Sequence, residues 1–498
     1  MSELLTQEQL EAIAVSHPQG FIALTDYQLL CSTYLDHWKD IYCSEYKGLN
    51  IDSFKEMKAR HEVEECLELY KFIGGTLSGV IATTMSAIRE CFIDKRDPHK
   101  ITYPLDIIVI TILLAKLCGC NTAKEISKFF KLKNLQLQLI VPGMPSVEHG
   151  LSPSTINTVI AMLKYEEIDK FFTEYFSAVK ITLQELFTYD DEKYKKDRNN
   201  VKDTLAFDGQ EIRASFRRGI ASRRAKGGNV VTLYNCTQRT PIKFMNAQKK
   251  NNETACFLKL AARTEIKGSV VMSDALNAAS CVTSKIRECG ADYLMPIKSY
   301  RGNKELLNHV EAIFNREHKN TIKHISTSKN HGRIEESIFE VLNAQKYLDK
   351  RIKNPHQDLN TIIKYTKKVD SIINGVVVNQ TINVRYYISS LAFNEDTVHQ
   401  VASSICDYWF IEQAHNLYDS KVFNQDRIEA CNENTIDTHV GFNKICHNIM
   451  SFIRQKLTEK SGKKTPIPYS IVQDTISTWP IFITFDYIAH YYATKIND

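Results

Sequence analysis

The sequence has no stretch long enough to cross a bilayer as a helix. Its greasiest run, IIVITILLA from Ile107 to Ala115, stops far short of the roughly 20 apolar residues that a span needs, and Asp106 and Lys116 bound it. That length and those flanks predict a buried core helix. The first residues, MSELLTQEQLEAIAV, have neither the basic start nor the continuous apolar core of a signal peptide. Paired C-x-x-C spacing is also absent. The 13 cysteines are scattered, and the nearest pair, Cys118 and Cys120, has no second half with which to hold zinc. A zinc module and a disulfide framework are therefore not expected, and the cysteines read as reduced, small apolar residues of a cytoplasmic protein. No internal repeat or low-complexity tract occurs. Charge of one sign does not dominate either: 63 Lys plus Arg against 58 Asp plus Glu leave a formal +5. So small an excess neither demands nor forbids a nucleic-acid partner, and local basic patches decide.

What is present suits a globular chain of two or three structural units, with 498 residues, 43% of them hydrophobic and 24% charged. Residues 1–91 read as a helical N-terminal extension, with apolar positions at helical spacing in FKEMKARHEVEECLELYKFI and a break at Gly74 and Gly75. Residues 92–188 read as a compact helical unit. In it, TAKEISKFFKL is capped at Asn121 or Thr122 with Glu125 close behind, and the helix after Pro153 is capped at Ser152 or Ser154. The alternating charges of residues 189–203 predict an exposed linker. From Thr204 strands alternate with helices, which argues for an α/β domain over 204–456. It carries a β-rich insertion at about 300–395, and a tail follows over 457–498.

Three carboxylates stand out. Asp208 in TLAFDG ends an apolar strand, and Asp274 in GSVVMSDALNAA sits between a strand and a helix. Ligand sites in α/β sheets gather at the carboxyl ends of strands, so these two could converge. Glu412 continues the stripe Val398, Val401, Ile405, Tyr408 along one helix. A carboxylate facing a sheet needs a positive partner, and Mg²⁺ is a natural one. Taken singly, each acid also has a structural explanation. The Asp-Gly pair suits a hairpin turn, Asp274 a helix N-cap, and Glu412 an ion pair or a solvent-facing rim.

A set of ordered segments then resembles one family. DKRDPHKITYPLDIIVITILLAKLCGCNTAKEISKFF and PSVEHGLSPSTINTVI are similar to the N-terminal associated domain of the H-repeat-associated, ISAs-type DDE transposases. AFDGQEIRAS, KKNNET, VVMSDAL, ADYLMPIK, NHGRIEE, RYYISSL and YWFIEQ resemble that family's later segments in order, from about Asp94 to Arg454. The resemblance implies an RNase H-like catalytic domain with a β-rich insertion, preceded by a helical N-terminal domain with a DNA-binding role. It implies that Asp208, Asp274 and Glu412 are a catalytic triad holding two Mg²⁺ ions, for which Mn²⁺ can substitute. Such ions run an in-line displacement at phosphorus, so one site can both nick DNA and join strands. The implied partners are double-stranded DNA and transposon ends, bound by a homodimer. The implied place is the bacterial cytoplasm, at the nucleoid when DNA is bound. A domesticated descendant with a binding, nuclease, regulatory or defence role is the alternative.

Phosphate contacts are expected from Arg213, Arg217, Arg218, Arg223, Arg224 and Lys226, crowded directly after the first Asp, with Lys298, Arg301 and Arg333 as further candidates. Asn252, Glu253, His331 and Glu335 are candidates for a supporting shell. Two departures from the family pattern are visible: Gln210 replaces a Lys after the Asp-Gly pair, and His415 and Asp419 are each displaced by one position.

Overall fold

The computed structural model describes residues 76–140, 150–176, 201–215, 228–247, 252–300, 302–330, 333–349, 354–373, 376–430, 432–461 and 465–479, with a few isolated positions besides. The expected helices before residue 76, most of the charged linker and much of the C-terminal tail lie outside the described residues. In chain order the helices α1 (Thr76–Cys91), α2 (Leu105–Leu117), α3 (Ala123–Ile140), α4 (Pro153–Met162) and α5 (Tyr165–Tyr175) come first. Strands β1 (Thr204–Ile212), β2 (Gly228–Asn235) and β3 (Thr240–Asn246) follow, then α6 (Glu253–Ala261), β4 (Val270–Met272), α7 (Ser280–Glu288), β5 (Asp292–Ile297) and α8 (Lys304–Phe314). After these come β6 (Ile322–Asn330), β7 (Arg333–Asn343), β8 (Thr361–Ile373) and β9 (Val376–Ser389), and last α9 (Glu395–Asp407), α10 (Trp409–Asn416), α11 (Glu433–Ser461) and α12 (Tyr469–Thr478).

The chain forms two compact units. One draws on Met1–Lys180, Lys421–Gln425 and Asn432–Asp498, the other on Ile181–Ser420 and Asp426–Cys431. In the first, every residue of α2 is buried, as its short apolar run predicts, including Asp106 and Lys116. Both charges have partners: Arg89 Nε donates to Asp106 Oδ2 at 2.6 Å, and Lys116 Nζ donates to Asn443 Oδ1 at 2.8 Å. The expected capping box at α3 is present, with the Glu125 carboxylate accepting from the Asn121 and Thr122 N–H groups at 2.8 Å each. Ser152 caps α4 by accepting from the Thr155 N–H at 3.1 Å. Among the described residues no helix is long and apolar enough to cross a membrane. The described cysteines are free thiols, and Cys91, Cys236, Cys256 and Cys446 are buried.

The second unit is a mixed α/β fold built on one nine-stranded sheet in the order β3-β2-β1-β4-β5-β9-β8-β7-β6. Pairs β1–β4 and β4–β5 are parallel, and all the others are antiparallel. Alternation along the strands divides the core between the two faces. Leu205, Phe207, Val271, Tyr293 and Met295 pack with Phe257 of α6, Val282 and Ile286 of α7 and Val310 of α8. Val270, Met272, Leu294, Phe339, Ile363 and Tyr387 pack with Val398, Val401 and Ala402 of α9. The Thr204 and Ser404 hydroxyls, 2.8 Å apart, join β1 to α9 on this second face.

Three local expectations change. Asp208-Gly209 is not a hairpin turn, because β1 runs on through Ile212, with Asp208 opposite Thr232 of β2. The helix expected directly after Asp274 begins only at Ser280, behind a 3₁₀ turn over Ala275–Asn277. The sequence from Asp396 to Asp419, which reads as one long helix, is two helices meeting at Tyr408, followed by a π turn over Leu417–Lys421.

Phe207 and Phe257, both fully buried, stack at 4.0 Å between ring centroids and tie β1 to α6. Phe207→Ala is expected to destabilise the fold by about 3–5 kcal/mol, read as a lower urea midpoint with an unchanged m-value.

Candidate active site

The parallel pairing of β1 with β4 sets Thr204, Leu205 and Ala206 opposite Val270, Val271 and Met272. Two residues beyond the last pair stand Asp208 and Asp274. Adjacent strands lie about 4.8 Å apart and side chains alternate with period two. Asp274 keeps an extended backbone, with φ −69° and ψ 163°. Both carboxylates therefore stand level on neighbouring strands and leave the sheet on the face that carries α9 and α10, as Thr204 and Met272 do.

Each of the two is held by backbone. Asp208 Oδ1 accepts from the Gly209 N–H at 2.8 Å, and Asp274 Oδ1 accepts from the Leu276 N–H as the cap of the 3₁₀ turn. The capping role foreseen for Asp274 thus coexists with its place beside Asp208. Asp208 Oδ2 lies 3.6 Å from His415 Nδ1 of α10, and 26% of the Asp208 side chain is exposed. Burial pushes the Asp208 carboxyl up to about 7; the charges of Glu253, Asp274 and Glu412 add to this, while the Gly209 N–H opposes it. Four carboxylates therefore share one electrostatic neighbourhood.

Glu412 reaches it differently from the sequence expectation. The apolar stripe of α9 passes into Ile411 and Ala414, which are buried, while Glu412 is exposed and not part of the buried stripe. A 3.6-residue period leaves both 411 and 412 open after Tyr408, and packing selects Ile411. Glu412 instead lines a cavity of about 1100 Å³ together with Asp274, Lys298, Arg385 and Trp409. Burial raises its carboxyl, and the charge of Arg385 opposes the rise.

Glu253, the first residue of α6, lies over Gly209. A Cβ at that glycine would overlap Glu253 Oε1 and come within 2.7 Å of its Cδ. The other oxygen, Oε2, accepts from Asn277 Nδ2 at 2.9 Å, which pins the side chain there. Asn252 is exposed just before α6. The two departures from the family pattern touch each other: Gln210 Nε2 donates to Asp419 Oδ1 at 2.6 Å and to the His415 carbonyl at 3.1 Å. Sequence reading noticed these residues only as departures and did not single out Arg385 or Asn277. A lone cation among the aromatics of RYYISSL was the available signal for Arg385.

Of the expected phosphate contacts, Arg217, Arg218, Arg223, Arg224 and Lys226 lie outside the described residues, as do Arg301 and His331. Arg213 is exposed and paired with Asp426 at 3.3 Å. Lys298 is exposed at the end of β5, Arg333 is exposed at the start of β7, and Glu335 pairs with Lys367 at 2.7 Å. Among the described residues, no three or more His, Cys, Asp or Glu side chains stand together where they could hold a metal ion, so the structure does not gather Asp208, Asp274 and Glu412 into such a group.

Residues 90–176 match the family described as DDE_Tnp_1-associated. The chain is 27% identical over 259 residues to the H repeat-associated putative transposase YhhI of Escherichia coli (strain K12), covering 50% of this chain and 64% of that one. To the H repeat-associated putative transposase YbfD of the same strain it is 32% identical over 144 residues, covering 28% and 54%. It thus spans less than two thirds of either relative. Among solved structures, the piggyBac transposase synaptic complex with hairpin DNA aligns at a TM-score of 0.35 and 11% identity, covering 84% of this chain and 80% of that one. The resemblance to the H-repeat-associated family carried by the sequence motifs is shown by these matches.

The Asp208 environment makes stability pH-dependent. A carboxyl raised on folding stabilises the fold fully at low pH, and that contribution is lost as pH rises through about 7. The groups facing it are Glu253, Asp274, Glu412, Tyr408 and His415. Asp208→Asn is expected to be more stable than wild type above pH 7, by on the order of 3 kcal/mol, with the gap closing towards pH 4. Chemical unfolding at pH 5 and pH 8 checks it, and an equal gap at both would contradict the assignment.

Proposed function

We propose, with kinship to the H repeat-associated transposases as the premise, that this chain is a DDE transposase. On this reading it binds the DNA ends of an insertion sequence and carries out metal-dependent phosphodiester hydrolysis and strand transfer. The observation that carries the reading is the β1–β4 register, which sets Asp208 and Asp274 level on one face of the sheet, with Glu412 within their electrostatic reach. The core order β3-β2-β1-β4-β5, in which β2 alone runs against the rest, supports an RNase H-like unit with β6–β9 as its extension.

The donor set fits Mg²⁺ or Mn²⁺: its oxygens are all carboxylate, and their mutual repulsion is what a cation would relieve. Asp208, Asp274 and Glu412 would hold two such ions. When bound, the ions supply the positive charge and Lewis acidity that a displacement at phosphorus needs. The residues of the chain do the positioning. The Gly209 and Leu276 N–H groups each fix one oxygen of an aspartate, and His415 faces the second oxygen of Asp208. The cations Arg213 to Lys226 follow the strand of Asp208 directly, and with Lys298 and Arg333 they would neutralise backbone phosphates of double-stranded DNA. Joining two ends calls for a homodimer on the DNA.

The test is cleavage of duplex DNA carrying the sequence that flanks the gene, with Mg²⁺ or Mn²⁺. Wild type should cut at defined positions, and Asp208→Asn should lose more than about a hundredfold in rate while still binding DNA. Cutting that persists in the variant would remove Asp208 from the centre. DNA bound but uncut by wild type would favour the domesticated binding protein.

A further inference from the structure

The nine-stranded sheet leaves part of β9 without a neighbour on one side. β5 pairs with β9 only from Tyr386 to Ser389, and among the described residues no other strand continues that line. Before Tyr386, β9 is paired with β8 alone, and every residue from Val377 to Arg385 is exposed. The backbone groups on its open side are a template for a further strand.

The sequence does not guard this edge. Proteins blunt a bare strand with lysine, proline or inward-pointing charge, and the stretch VVVNQTINV from Val376 to Val384 contains no proline and no charged residue. β6, at the end of the sheet, is different: it carries Lys323 and Lys329, which antiparallel self-pairing about Ser326 would set opposite each other. Along β9, Asn383, Arg385 and Tyr387 line the cavity, so alternation puts Val378, Ile382 and Val384 on the other face of the extension. They are 54%, 56% and 44% exposed. Gln380 shares their face and donates through Nε2 to Asp370 Oδ1 at 2.8 Å. Branched apolar side chains left in water along an open strand mark a contact surface.

We propose that this edge pairs with the same edge of a second copy, antiparallel and centred on Thr381. In that register Val378 faces Val384, Asn379 faces Asn383, Gln380 faces Ile382 and Thr381 faces itself. Valine meets valine, amide meets amide and hydroxyl meets hydroxyl, each a favourable cross-strand pair. No like charges meet, and the two copies of Arg385 stand at opposite ends. A strongly acidic or basic partner strand would find no counter-charge between Val377 and Val384. The contact is isologous and uses up the open edge of both copies, so association stops at two. One strand pair is a small interface, which places the affinity in the micromolar range. The inference goes beyond the transposase reading and does not depend on it, because the pairing needs no DNA.

The experiment is sedimentation equilibrium of the full-length protein without DNA, over roughly 1–100 μM. Wild type should be a monomer–dimer equilibrium. Ile382→Lys should weaken the dimer by more than about tenfold and leave the urea midpoint unchanged, since the side chain is exposed. Thr381→Cys, on the two-fold axis, should be captured as a disulfide-linked dimer on mild oxidation. Wild type, whose own exposed thiols are Cys281 and Cys406 among the described residues, should not be. A dimer that Ile382→Lys leaves unchanged, or Thr381→Cys cross-linking no faster than wild type, would overturn the proposal. So would a wild type that stays monomeric, which would leave the edge to a strand of another protein. If that monomer still cuts DNA, the β9 pairing alone falls; a β9-paired dimer that never cuts DNA upholds the pairing and tells against the transposase reading.

Discussion

The structure of the site depends on one pairing, that of β1 with β4. It is parallel and only three residue pairs long, yet its register decides whether two acids 66 residues apart in sequence stand side by side. A slip of one residue would turn Asp274 to the face of α6 and α7 and leave Asp208 alone. What prevents the slip is burial on both faces: Val271 belongs to one core cluster and Val270 and Met272 to the other. The Thr204–Ser404 contact adds a polar anchor at the start of β1.

Placing the acids together costs stability, and the surrounding residues show how that cost is contained. Backbone N–H groups donate to one oxygen of each aspartate. Asn277 holds Glu253, and Gly209 supplies the space that Glu253 occupies. Gln210, Asp419 and His415 form one connected patch against the same strand. What remains unrelieved is chiefly the burial of Asp208, with the charges of Glu253, Asp274 and Glu412 adding to it, which together raise its carboxyl to about 7.

Much of this was legible in the sequence, for identifiable reasons. The helix α2 could be read because a short, unbroken apolar run between charges has few other fates. The helix starts at α3 and α4 could be read because capping is a local code. Gly290 closes α7 with φ at +73°, as a glycine after a basic last turn suggests. Both aspartates could be picked out, since acids after apolar strands mark carboxyl ends. Their register could not, because no local pattern encodes which strands pair. The extension of β1 past Asp208-Gly209 was hidden for a related reason: Asp-Gly is a turn signal, and only pairing with β2 overrides it. Of the two places the sequence left open for Glu412, the buried stripe and the exposed rim, helical periodicity could not choose, because it leaves two adjacent positions nearly equivalent after Tyr408; packing puts Ile411 in the stripe and Glu412 at the rim. Arg385 was missed because its importance comes from a cavity formed by segments far apart in sequence.

The carboxylate centre is tested most directly by anomalous diffraction from crystals of the full-length protein soaked in Mn²⁺. The centre described here predicts an anomalous peak in coordination contact with both Asp208 and Asp274, about 2.1–2.2 Å from their oxygens. Crystals that bind Mn²⁺ only elsewhere, with the two aspartates still ordered and side by side, would contradict it.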